Sequence, residues 1–116
     1  MQKTLLIDGK SYPVKSTARS MLEYRAQFGS DFFADLETLQ RSAEHVQNGS
    51  LADFGVIELQ KLYNMTWLLM KKADPSLPSP DEWLDSFDRF PIVEVLPQVI
   101  EMFSDCMKGN VEVKNA

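Results

Sequence analysis

The side chains that most often do chemistry are few here. The chain has one cysteine, Cys106, and one histidine, His45. A thiolate nucleophile needs positive neighbours that lower its pKa. Cys106 instead follows Asp105 and borders an apolar stripe, so it reads as a small buried hydrophobe. His45 has no Cys or carboxylate at metal-ligand spacing. It lies near the end of a helix, where imidazolium is mildly favoured, and reads as a surface residue. Asp81, Glu82, Asp85 and Asp88 are the densest carboxylates. A calcium loop needs alternating acids around a central glycine. Here Asp81 and Glu82 suit a helix start, and Asp85 and Asp88 are simply one turn apart. The five glycines are scattered at turns and build no phosphate loop. The expectation is a protein with no catalytic residues, no metal, no cofactor and no enzymatic activity.

Charge and composition narrow the class further. The chain has 116 residues, enough for one domain with its own core. Its 44% hydrophobic and 25% charged residues argue against general disorder. No apolar run approaches a membrane span, and Met1-Gln2-Lys3-Thr4 does not open like a secretory signal. A net charge of −5 makes nucleic acid an unsuitable partner. The charge is uneven. Residues 1–30 carry five bases against Asp8 and Glu23, while residues 74–107 carry eight acids against Arg89. That asymmetry reads first as a solvated acidic surface. Its functional reading is selection of a basic partner, or head-to-tail self-association.

What positions these residues is an α+β, mostly α architecture: an N-terminal β-hairpin packed on about five helices. Asp8-Gly9 suits a two-residue type I′ turn, which puts Leu5 opposite Tyr12 and places Leu5, Ile7, Tyr12 and Val14 on one face. Pro13 cannot donate to a ladder and marks an edge. Ser16 or Thr17 can cap a first helix bearing Ala18, Met21, Leu22, Tyr24 and Phe28 on one side. Gly29 is placed to end it, and Ser30 to cap a second, with Asp31 in its first turn. Phe32, Leu36, Leu39, Ala43 and Val46 form the second helix's stripe, closed by Asn48-Gly49.

A third helix is expected from a capping box at Ser50 and Asp53 to about Ala73. It is apolar on two sides. Leu59, Leu62, Tyr63, Leu69, Met70 and Ala73 form one face, with Trp67 on its border. Phe54, Ile57, Met65 and Leu68 form the other, interrupted by Lys61 and Lys72. Such a helix is either central or carries a partner. Pro75, Pro78 and Pro80 then stiffen a connector. Ser79, Pro80 and Glu82 start a short helix with Trp83, Leu84, Phe87 and Phe90 facing one way. After Pro91 the last stripe is Ile92, Leu96, Val99, Ile100, Phe103 and Met107. Glu94, Pro97, Gln98, Glu101, Ser104, Asp105 and Lys108 lie opposite it. The stripe keeps phase across Pro97, so one helix is expected, stopped by Gly109. The domain is thus read as 1–109, with 110–116 as a flexible C-terminal tail.

One block carries a family resemblance. Tyr24-Arg25-Ala26-Gln27-Phe28-Gly29-Ser30-Asp31, followed by Phe32-Phe33-Ala34-Asp35-Leu36, resembles the tail assembly chaperones of long-tailed phages and prophages of Gram-positive hosts. The layout around it is similar too. Ile7-Asp8-Gly9-Lys10 precedes it. A helix like Leu62–Lys71, a Pro-rich link, Trp83-Leu84-Asp85-Ser86-Phe87 and a last helix containing Pro97 follow. The likeness spans residues 3–107. It implies a protein that coats and solubilises the tape-measure protein and aids tail-tube assembly. It also implies residence in the host bacterial cytoplasm and absence from the mature virion. Many such genes yield a longer product by frameshifting near the end, which Val113-Lys114-Asn115 would permit. Within the block, Tyr24, Arg25, Phe28, Gly29, Asp31 and Asp35 are the motif residues. A structural reading is favoured for them, with Gly29 and Ser30 joining two helices and Arg25 pairing with Asp31 or Asp35.

Met and aromatic residues make adaptable binding surfaces. The expected contact set is therefore Phe54, Ile57, Met65 and Leu68, with help from Trp67 and Trp83. The expected partners are tape-measure protein, tail-tube protein and further copies of the chain. The alternatives are a structural tail-completion protein of the virion and a host protein-binding adaptor.

Overall fold

Asp8 and Gly9 both take positive φ, 50° and 82°, as a type I′ turn requires. In the computed structural model, which describes residues 2–48, 50–52 and 54–115 except the side chains of Gln47 and of 106–115, they join β1 (Gln2–Ile7) to β2 (Lys10–Lys15). Leu5 pairs with Tyr12 and Thr4 with Pro13. Counting outward from the turn, Thr4 and Pro13 fall on a non-hydrogen-bonded pair. The missing N–H of Pro13 therefore points away from β1 and costs no ladder bond. Leu5, Ile7 and Val14 turn into the core.

Among the described residues five helices follow: α1 (Ser20–Phe28), α2 (Phe32–Gln47), α3 (Val56–Ala73), α4 (Pro80–Asp85) and α5 (Ile92–Asn115). The architecture is the expected α+β, mostly α fold, with one two-stranded antiparallel sheet. α3 is its axis and touches β2, α1, α2, α4 and α5. Its two apolar sides belong to a central helix, and seven of its residues from Leu62 to Met70 are buried. The lysines that interrupt its second side are half-buried and face acids of neighbouring helices. Lys61 Nζ lies 3.6 Å from Asp35, and Lys72 Nζ lies 2.9 Å from Glu23.

Helix starts differ from expectation in instructive ways. α1 is not capped by Ser16 or Thr17. The chain turns first, with Ser20 Oγ accepting from the Thr17 N–H, and the helix begins later. Leu22 is 71% exposed, because it lies on the opposite side of the helix from Tyr24. α2 is capped by Asp31 rather than Ser30: its carboxylate accepts from the Ala34 N–H. All five expected stripe residues of α2 are buried. Asp53 and Gly49 lie outside the described residues. α3 starts at Val56, not after Ser50, whose hydroxyl accepts instead from the Ala52 N–H. The reach-back of a capping box comes from Glu58, which accepts from the Gly55 N–H at 2.8 Å. Ser79 is the N-cap residue of α4, with Pro80 in its first turn, but its hydroxyl makes no cap bond. Met107 and Cys106 have side chains outside the described residues. α5 runs through Gly109 to Asn115, so the expected stop is absent. A glycine inside a helix costs only about 1 kcal/mol and need not end it.

α5 has a second working side that its apolar stripe does not reveal. The free edge of β1 lies against it. The Gln98 side-chain amide accepts from the Leu6 N–H and donates to the Leu6 carbonyl, both at 2.9 Å. Glu94 accepts from the Asp8 N–H at 2.8 Å, and Lys3 donates to Asp105 at 2.9 Å. Gln98 thus occupies the place of a neighbouring strand's peptide, covering an edge that would otherwise template aggregation. Val95 and Met102 are buried beside this contact.

Candidate functional site

The motif block folds into a junction between α1 and α2 that rests on the first turns of α3. Phe28 is the last residue of α1. Gly29 then takes φ 69°, and its N–H closes onto the Arg25 carbonyl at 2.8 Å. This left-handed position reverses the chain tightly enough for Ser30 and Asp31 to begin α2. Tyr24, one turn before Phe28, is fully buried. Asp35, one turn into α2, lies directly beneath it.

Asp35 is the polar centre of the junction. One carboxylate oxygen accepts from the Tyr24 hydroxyl and from the Ser30 hydroxyl, each at 2.7 Å. The other faces the Lys61 ammonium of α3. Burial pushes the Tyr24 phenol well above its ordinary value, and the bond to Asp35 raises it further. The expected pairing of Arg25 with Asp31 or Asp35 is replaced: Asp35 holds Tyr24, Ser30 and Lys61, Asp31 caps α2, and Arg25 is exposed. Tyr24 also packs edge-on against Phe32, and Phe28 edge-on against Trp67.

Beside this centre lies an open groove of about 400 Å³. Ser30, Asp35 and Lys61 give it a polar floor; Phe28, Val56 and Ile57 give it an apolar rim. Val56 is 80% and Ile57 67% exposed, on the first turn of α3. Leu51 in the preceding loop is also exposed, and Phe54 is half-buried.

The six expected contact residues do not form one surface. Ile57 lies on the groove rim and Phe54 precedes it in the chain. Met65, Leu68, Trp67 and Trp83 are core residues, with Met65 wholly buried. Periodicity put Met65 and Leu68 on the second face of α3, Trp67 on the border of the first and Trp83 on the short helix α4, but α3 is enclosed by α1, α2, α4, α5 and β2, so all four turn into the core. Val56 and Leu51 are the residues this reasoning missed. The start of α3 decides their exposure, and the sequence placed that start several residues too early. Among the described residues, no three His, Cys, Asp or Glu side chains converge as metal ligands, and no helix is long and apolar enough to cross a membrane. Comparison of the chain with protein-family models, with curated proteins and with solved structures gives no match.

One pair joins the basic and acidic ends of the chain: Lys3 reaches Asp105. Arg89, the lone base of residues 74–107, reaches Asp8 of the hairpin turn. The bond to Asp105 raises the Lys3 pKa above its ordinary value. Part of the asymmetry noted in the sequence therefore serves internal docking of the hairpin on α5.

Proposed function

We propose that this protein is a non-enzymatic holding chaperone of the phage tail assembly kind, which shields the apolar surface of a tape-measure protein during tail assembly. The observation that carries the reading is the exposed Val56–Ile57 pair on the groove rim beside Phe28. Two further facts support it. The groove is built on the same block, Tyr24 to Asp35, that carries the resemblance. The net charge of −5 would help keep an apolar complex in solution. In this reading the client is an amphipathic helix that lays its apolar side across Val56 and Ile57. The Asp35 centre fixes the rim and takes no part in chemistry. The protein acts in the host bacterial cytoplasm and leaves before the virion is complete. Tail-tube protein and further copies of the chain complete the assembly.

Co-expression with a tape-measure fragment tests this. Val56→Asp with Ile57→Asp leaves the protein folded, since both side chains are already solvated, and abolishes solubilisation of the fragment. Unchanged solubilisation by the folded double variant would remove the groove from the proposal. Mass spectrometry of purified particles tests the role itself: a chaperone is missing from them, a tail-completion protein is present.

A further inference from the structure

The floor of the groove beside α1 and α3 holds a cation whose hydrogen-bonding capacity the protein leaves unused. Lys61 lines the groove, and its side chain is 22% exposed. Its ammonium stands 3.6 Å from Asp35, close enough for an ion pair and too far for a hydrogen bond. Among the described residues it makes no other polar contact. Asp35 is held where it is, because one of its oxygens already takes the Tyr24 and Ser30 hydroxyls at 2.7 Å. Solvent therefore serves the three Lys61 donors as long as the groove is open.

A helix laid across Val56 and Ile57 closes the groove and removes that solvent. A purely apolar helix would leave a charged donor covered and without an acceptor, which is costly. The favoured client therefore carries an acceptor within its apolar stripe, at the position over Lys61. Charge chooses among acceptors. Lys61 and Asp35 cancel, so the floor has no net charge for a carboxylate to complement. Glu58, one turn ahead of Lys61 on α3, adds a negative charge, and the whole chain carries −5. A client carboxylate would meet Asp35 as well as Lys61, whereas a neutral acceptor meets the ammonium without that repulsion.

Gln60 narrows the choice further. It is exposed and lines the same groove, and its amide nitrogen donates to Asn64 Oδ1 at 2.9 Å. Its carbonyl oxygen takes no hydrogen bond among the described residues. The groove thus offers a donor and an acceptor on successive residues. A primary amide answers both, with its oxygen accepting from Lys61 and its N–H groups donating to the Gln60 carbonyl.

We propose that Lys61 is the specificity-determining residue of the groove and selects client helices that carry a Gln or Asn within their apolar stripe. This rests on the groove being the client site and adds what the client must carry there.

The test titrates the full-length protein by calorimetry with three capped amphipathic helical peptides. Each has a Leu stripe and polar positions balanced between Glu and Lys, and the central stripe position is Gln, Leu or Glu. The Gln peptide binds at least about fivefold more tightly than the other two, although Leu would bury more apolar surface. Lys61→Met reverses that order, so that the Leu peptide binds best, and Lys61→Arg keeps it. A parent protein that binds the Leu or Glu peptide as tightly as the Gln peptide overturns the proposal. So does a Gln preference that survives in folded Lys61→Met; should that variant unfold, the order of the peptides on the parent decides alone. Ile57→Asp weakens all three peptides. Binding that Ile57→Asp leaves unchanged, or no binding to the parent at all, overturns the groove reading and this proposal with it. A missing Gln preference with the Ile57 dependence intact overturns this proposal alone.

Discussion

Replacing Asp35 by Ala is the sharpest perturbation of the junction that builds the groove. Its side chain is 7% exposed and holds three partners, on α1, on the turn between α1 and α2, and on α3. Their losses differ in size. The Tyr24 hydroxyl is fully buried, and leaving it without its acceptor costs about 1–3 kcal/mol. Ser30 and Lys61 are half-buried and can turn to water, so each adds about 0.5 kcal/mol. The total is about 3 kcal/mol. Unfolding entropy of about 2.1 cal/mol/K per residue gives about 0.24 kcal/mol/K for 116 residues, so Tm falls by about 12 °C. Tyr24→Phe keeps the ring packing and leaves Asp35 its other two partners, and costs about 1–2 kcal/mol. Because the two residues share one bond, the double variant costs about 1–2 kcal/mol less than the two single costs added together. Thermal unfolding followed by circular dichroism measures all three. An Asp35→Ala protein that melts within about 3 °C of the parent, or a fully additive cycle, would refute the idea that this carboxylate ties the three helices together.

Three other outcomes are expected. The Tyr24 phenol has a folded pKa above its ordinary value of 10.0, so the stability it contributes is complete below about pH 10 and is lost as pH rises beyond it. In an ultraviolet titration of the three tyrosines, one ionises only together with alkaline unfolding, and Tyr24→Phe removes that late component. Gln98→Ala uncovers the Leu6 peptide at the β1 edge and should cost about 1–2 kcal/mol while making the protein self-associate with rising concentration; sedimentation showing an unchanged state at all concentrations would count against the edge-cover role. Gly29→Ala meets no neighbouring atom but must hold φ 69°, so it loses about 1 kcal/mol by chemical denaturation, and Gly29→Asn loses less.

Features that depend on near neighbours in the chain were legible. Asp8-Gly9 specified its turn, and through the turn the whole hairpin register, because a two-residue loop leaves one pairing open. The α2 stripe, the left-handed Gly29 and the end of α3 at Ala73 followed from local pattern for the same reason. Capping was less legible. Ser16, Ser30 and Ser50 all have the right chemistry to cap a helix, and which residue does so is settled by where the helix packs. The same uncertainty hid Val56 and Leu51, since residues near a helix start are exposed or buried according to that start.

The sequence by itself determined the class of fold, the hairpin register and the core stripe of α2, because period and turn chemistry act over a few residues. Only the tertiary structure decided that α3 is covered on both apolar sides and open only at its first turn, that Asp35 binds Tyr24 instead of Arg25, and that Gln98 serves a strand more than eighty positions away. Those outcomes depend on which elements compete for the same surface. A helix with two apolar sides looks the same in one dimension whether a neighbour or a client covers the second.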